Sequence, residues 1–149
     1  MNFRMATIED VKDIVALLAD DELGKTRERT SEVVDAEYIQ SFKDIEAQAG
    51  NQILLAVENE TVIGCLQLTF IPTLARGGMK RAQIEGVRVH KEHQKKGVGR
   101  ALFEEAIRLS KESHCGLVQL TTDKRRSDAH IFYERLGFEV THEGMKLFL

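Results

Sequence analysis

The chain has 149 residues, with 42% hydrophobic and 30% charged residues, a net charge of −3 and a pI near 6.0. That length suits one domain, 1–149, whose core needs no metal or disulfide staple, and the composition is too apolar for a disordered chain. The acidic balance argues against a general nucleic-acid binder, which needs basic excess to neutralise phosphates, and against adhesion to an anionic membrane.

In chain order, residues 2–5 read as a short strand. Thr7 then serves as an N-cap with Asp10 three residues on, a variant of the capping box. Ile8, Val11, Ile14, Val15 and Leu18 follow at helical spacing. Residues 20–34 are polar and mixed in charge without a clear period, which predicts a loop with one helical turn. Residues 35–48 return to helix, with Tyr38, Phe42, Ile45 and Ala49 on one side. Residues 52–58 and 61–71 are two strands joined by a tight turn, an antiparallel hairpin. Pro72, the sole proline, opens a loop over 72–80 that contains Gly77-Gly78. Residues 81–90 add a third strand to the meander, and 91–96 form a charged loop.

The strongest helical pattern covers 97–113. Val98, Leu102, Ala106 and Leu109 make its apolar stripe, with Glu104, Arg108 and Glu112 outside at i, i+4 spacing. A short buried strand follows over 117–121. Ser127 or Asp128 caps a helix to about Leu136, and Gly137 suits the left-handed position after its C-terminus. Residues 138–141 and 146–149 are expected to pair as a terminal hairpin. A meander followed by a strand–helix–strand crossover predicts an α/β (α+β) fold, a mixed, mostly antiparallel sheet flanked by helices.

Cys65 and Cys115 both lie in apolar stretches. Free thiols in a reducing cytoplasm fit them better than a disulfide. The start of the chain carries Arg4 but then Glu9, Asp10 and Asp13 with no apolar core, unlike a signal peptide. The longest aliphatic run, 53–57, falls far short of the roughly 20 residues that a membrane span needs.

The most informative stretch is Gln94-Lys95-Lys96-Gly97-Val98-Gly99-Arg100, between a strand and a helix. A helix start leaves its first N–H groups without internal partners, and the helix dipole adds to their pull on an anion. Glycines at 97 and 99 let a phosphate approach the backbone, and Lys95, Lys96 and Arg100 add positive charge. A Walker loop would need Gly-Lys-Ser/Thr, yet Arg100-Ala101 follows Gly99. A dinucleotide fingerprint would need Gly or Ala where Leu102 stands, after the first strand of a βαβ unit. Both common nucleotide classes are disfavoured.

With those residues in view the chain resembles the GNAT superfamily of acyl-CoA-dependent N-acyltransferases. Its phosphate-binding signature, Gln/Arg-x-x-Gly-x-Gly/Ala, is matched by Gln94, Gly97 and Gly99. A second family segment, Ala-x-x-Phe-Tyr-x-x-x-Gly-Phe, is matched by Ala129, Phe132, Tyr133, Gly137 and Phe138. The strand Glu85-Gly86-Val87-Arg88-Val89 fits the family pattern as well. One departure is Arg126, where the family often has Asn seven residues before the tyrosine.

The resemblance implies acetyl-CoA as cosubstrate, a small-molecule amine as acceptor, and direct transfer in a ternary complex. It implies that Val87, Arg88 and Val89 hold the pantetheine arm as an added strand. Gln94, Lys95, Lys96, Gly97, Val98, Gly99 and Arg100 would take the pyrophosphate, with Phe132 and Tyr133 beside the cofactor. Tyr133 is the candidate acid for the leaving thiolate, and Glu85 the candidate base for the amine. Gly86 beside Glu85 suits a β-bulge that re-aims its neighbours. Without a bulge, Glu85 would share a face with Val87 and Val89. Core packing of Tyr133, and an ion pair of Glu85 with Arg81 or Arg88, are the structural alternatives.

His90, His93, His114, His130 and His142 show no metal-ligand spacing, so no metal is expected. Acceptor specificity is expected from 22–38 and 73–81, where Arg27, Arg29, Arg76 and Arg81 could hold an anionic group and Asp20, Asp21 and Glu22 a cation. Small enzymes of this resemblance often pair, so a homodimer is among the expectations. A non-catalytic acyl-CoA-binding sensor is the alternative reading, and an unrelated phosphate-ligand binder a further one.

Overall fold

The computed structural model describes residues 1–149. Five strands form one sheet in sequence order: β1 (Asn2–Met5), β2 (Asn51–Glu58), β3 (Thr61–Ile71), β4 (Arg81–Val89) and β5 (Leu117–Leu120). The first three pairings are antiparallel and the last, β4 with β5, is parallel. The helices are α1 (Val11–Ala19), α2 (Gly24–Arg27), α3 (Ala36–Ala47), α4 (Ala75–Gly78), α5 (Val98–Glu112) and α6 (Ser127–Arg135). The expected mixed, mostly antiparallel sheet with flanking helices is the observed one.

Alternation along β2 and β3 divides the apolar residues between two faces. Leu54, Ala56, Ile63, Leu66 and Leu68, joined by Ala82 and Ile84 of β4, pack under Val98, Leu102, Phe103 and Ala106 of α5. On the other face Leu55, Val62 and Cys65 meet Ile14 and Leu17 of α1. Val11 and Val15 of α1 close against Phe42 of α3. The stripe read from the sequence of α5 is buried at Val98, Leu102 and Ala106, and Leu109 packs at its margin.

The entry to α1 is fixed electrostatically. The Thr7 N–H donates to the Asp10 carboxylate at 2.8 Å, and Arg4 grips both Asp10 oxygens at 2.7 Å. The Arg4 hydrogen bonds hold the buried Asp10 carboxyl down at about 2, against an ordinary 3.8.

Three local expectations change. Residues 138–149 form no strand pair. Gly137, at φ +94, ends α6, and the Phe138 N–H turns back to the Tyr133 carbonyl at 3.1 Å. Phe138 packs on Phe103 and Tyr133, but every residue from Glu139 onward is exposed, so no buried face drives a hairpin. Ala49 lies beyond α3 and is exposed, because Gln48 has already left the helical conformation. The loop over 72–80 contains the single turn α4, in which Arg76 and Gly77 are left-handed. The two thiols are free; Cys65 is buried and Cys115 half-buried. Burial pushes the Cys65 thiol up to about 12.

Candidate functional site

β4 carries the centre of the site. Opposite β3, Cys65 faces Arg88 and Gln67 faces Glu85, so Leu66 alone stands against Gly86 and Val87. This is the expected bulge. It rests on Gly86 at φ +60, a conformation that costs L-residues with a Cβ. The extra residue reverses the phase of the strand. Ala82 and Ile84 point to the α5 face before it, and Val87 and Val89 pack on that face after it. Glu85 is thereby separated from the valines and stands exposed. Arg88, across from Cys65, is drawn to Asp21 and forms no ion pair with Glu85.

The pairing of β4 with β5 stops at Ile84 and Leu120. From Glu85 to Val89 the strand keeps its partner β3 on one side and has none on the other. Backbone N–H and C=O groups on an open strand edge are a template for an extended ligand. The slot beside them is bordered by Val89 and by Phe132 of α6. A Cβ on Gly99 would lie 3.5 Å from Phe132 and 3.7 Å from Val89, so that glycine faces this slot.

The same slot ends at the start of α5. Gln94 anchors the preceding turn through its side-chain amide to the Val89 carbonyl at 3.1 Å. Lys95 at φ +61 and Gly97 at φ +85 bend the backbone, and the first helical bond runs from the Ala101 N–H to the Gly97 carbonyl. The N–H groups of Val98, Gly99 and Arg100 precede that bond and have no helical acceptor. No acidic residue lies in the first turn to compete for them, and nothing lies within 4 Å of where a Gly97 Cβ would stand. Lys95 and Lys96 are exposed. Arg100 is turned along the helix to Glu104 at 2.8 Å. These groups fit a diphosphate joined to a linear arm.

Tyr133 follows Phe132 on α6, its ring packed on Phe103, Phe132 and Phe138. Burial raises its phenol above the ordinary 10, and the nearby Arg126 and Arg88 offset part of that rise. The phenol is therefore protonated at neutral pH. Arg126 does not take the place of the family asparagine in the slot. It reaches Asp21 in the α1–α2 connection at 2.9 Å, on the same oxygen that Arg88 approaches at 2.9 Å. Burial pushes the Asp21 carboxyl up, but the Gly24 N–H and the two guanidiniums outweigh it and leave it lowered.

Residues 14–138 match the family model of the acetyltransferase (GNAT) family. The chain belongs to the GNAT family. Among curated relatives, it is 30% identical over 86 residues to a glucosamine 6-phosphate N-acetyltransferase of Trypanosoma brucei brucei, covering 58% of this chain and 56% of that protein. It is 47% identical over 58 residues to streptothricin acetyltransferase A of Bacillus subtilis, 38% of this chain and 33% of that one. The matches thus span about half and a third of those two relatives. A solved structure from Bacillus halodurans, described as a transcriptional regulator, superposes with a TM-score of 0.96 at 44% identity over 99% of both chains. One from Clostridium acetobutylicum, described as a predicted acetyltransferase with acetyl-CoA, gives 0.74 at 20% identity over 98% and 94%.

Several site features of this GNAT chain were not singled out from its sequence. Asn51, Gln67, Thr69, Gln83 and Gln119 join the already named Glu85 in a polar strip across the sheet face not covered by α5. Gln67 and Thr69 bond Asn51 at 2.9 and 3.1 Å, and Gln119 bonds Gln83 at 2.7 Å. The alternation Arg81, Gln83, Glu85 around apolar Ala82 and Ile84 was the available signal. The Asp21–Arg88–Arg126 cluster had none, because it joins three distant segments. Arg29, expected near the acceptor, is tied to Asp35 at 2.7 Å. No group of three or more His, Cys, Asp or Glu is arranged to hold a metal ion, and no helix is long and apolar enough to cross a membrane.

Proposed function

We propose that this chain, acting as one domain over 1–149, is an N-acetyltransferase that moves an acetyl group from acetyl-CoA to a primary amine of a small molecule, directly in a ternary complex. The observation that carries the reading is the open edge of β4 from Glu85 to Val89, running into the unbonded N–H groups of Val98, Gly99 and Arg100. The two curated relatives are a glucosamine 6-phosphate N-acetyltransferase and a streptothricin acetyltransferase, and the Clostridium structure is described with acetyl-CoA. The cosubstrate supplies an activated acetyl thioester.

The chain's own groups have distinct tasks. The β4 edge at Val87, Arg88 and Val89 fixes the arm as an added strand, and the start of α5, with Lys95 and Lys96, binds the diphosphate. A backbone N–H freed at the bulge polarises the thioester oxygen. Glu85 takes the proton of the incoming ammonium, directly or through one water, since only a neutral amine attacks. Tyr133 holds its proton at neutral pH and donates it toward the departing sulfur. Phe132 and the aromatic group around it exclude water from that side.

A CoA-release assay against a panel of primary amines, with calorimetry of CoA binding, tests this. Expected are CoA binding and amine-dependent release, with release lost in Glu85→Gln and Tyr133→Phe while CoA still binds. The Bacillus halodurans structure's description as a transcriptional regulator favours one other reading, a non-catalytic acyl-CoA sensor. Under it, CoA binds, no amine is acetylated, and Glu85→Gln alters only stability.

A further inference from the structure

The sheet is splayed at the proposed site. The β4–β5 ladder ends at Ile84 and Leu120, and the chain after β5 runs through 121–126 into α6. Beyond that point a bridge of side chains takes the place of the ladder, on the face away from α5. Val87 and Val89 turn toward α5, so Arg88 between them turns the other way, toward α1. The Arg88 Nε reaches the Asp21 Oδ2 at 2.9 Å, and Arg126, the residue before α6, reaches the same oxygen at 2.9 Å. Arg88 also donates from Nη1 to the Val87 carbonyl at 2.8 Å, which ties the bridge to the backbone of the open edge itself. Asp21 is fixed in turn. Its other oxygen accepts from the Gly24 N–H, in a turn so tight that a Cβ on Gly24 would lie 1.9 Å from the Leu18 carbonyl oxygen. A second tie, Arg27 of α2 to Asp123 at 3.6 Å, fastens the same connection to the stretch after β5.

The three bridging side chains are shielded over most of their surface. Two guanidiniums lie side by side there, and the carboxylate between them is what makes the arrangement favourable. The Arg88 Nε is buried without a well-formed hydrogen bond, so attraction between charges holds it in place. We infer that Asp21 is a positioning residue: its carboxylate clamps β4 to the start of α6 and sets the width of the slot for the coenzyme arm, while touching neither cosubstrate nor amine. The inference rests on the proposed placement of coenzyme A. With the clamp closed, Val89 and Phe132 border a slot of one width. Without it Arg88 and Arg126 repel, the slot is competent for only part of the time, and apparent affinity falls by that fraction.

Calorimetry of CoA binding to Asp21→Asn tests this. Asparagine keeps the acceptor for the Gly24 N–H and removes only the charge. The change adds one positive charge near a polyanionic ligand, so simple attraction predicts tighter binding. The clamp predicts the opposite sign, a Kd raised about tenfold. Arg126→Gln should weaken binding to a similar degree, whereas Arg126→Lys, which keeps a cation for Asp21, should stay within about threefold of wild type. A merely structural Asp21 would lower the melting temperature and leave the Kd of the folded protein unchanged. Relaxation dispersion on the ligand-free proteins gives a second readout: Asp21→Asn should bring μs–ms exchange to the amides of 85–89 and 127–133 that wild type lacks. An unchanged or lower Kd in Asp21→Asn overturns the clamp while CoA binding stands. A wild type that binds no CoA overturns the cofactor placement instead; dispersion then decides the clamp, which new exchange in both segments supports and its absence overturns.

Discussion

The two faces of the sheet are built from the same strands and do different work. Under α5, 11 buried residues form one continuous cluster with no ionisable side chain. The face toward α1 and α3 holds smaller clusters of 5 and 3 residues. It then gives way to the polar strip of Gln67, Thr69, Gln83 and Glu85 and to the Asp21–Arg88–Arg126 group. A strand that buries one face fully can leave the other for chemistry, and β4 does both, changing phase at Gly86.

The comparison is broken most forcefully at Phe103, fully buried on the α5 face. Phe103→Ala should cost about 3–5 kcal/mol of unfolding free energy, read by denaturant titration, because it removes the ring on which Phe132, Tyr133 and Phe138 pack. Gln83→Ala, on the polar strip, should cost about 1 kcal/mol or less by the same measurement. Equal losses would contradict the division of labour.

Next in size is Tyr133→Phe. Turnover should fall by roughly a hundredfold, about 2.7 kcal/mol in barrier height, with CoA affinity and melting temperature nearly unchanged. Unchanged turnover would return Tyr133 to packing alone.

The Arg4–Asp10 pair sharpens the comparison at the entry to α1. Its folded carboxyl sits at about 2, below the ordinary 3.8. The unfolded state therefore binds the proton first on acidification. Stability from this pair is complete above about pH 5 and is lost as pH falls from there toward 2. Half-exposed Arg4 is partly screened, so the loss should be about 1–2 kcal/mol. Asp10→Asn should flatten that part of the stability–pH curve.

The smallest effect belongs to the tail. Deleting residues 140–149, all exposed, should change stability by about 0.5 kcal/mol or less. A large loss would mean that the tail pairs along the open edge of β5.

Much of this was legible in sequence because local rules and burial agreed. The stripe of α5, the hairpin β2–β3 and the bulge at Gly86 each follow from period or from one glycine. The terminal hairpin misled because nothing over 139–149 creates a face to bury. At the site, Gly97, Glu85 and Tyr133 stood in readable motifs. Arg126 was visible only as a departure from the family pattern; its partner Asp21 lies about a hundred residues away, and pairing across that distance is set by tertiary structure.

The central claim is that the β4 edge and the first turn of α5 hold coenzyme A. Backbone amide NMR during a CoA titration tests it most directly. The account predicts saturable shifts concentrated at residues 85–89 and 97–100, with little change along α3. Saturable binding that leaves those amides unmoved, or no binding at all, would contradict it.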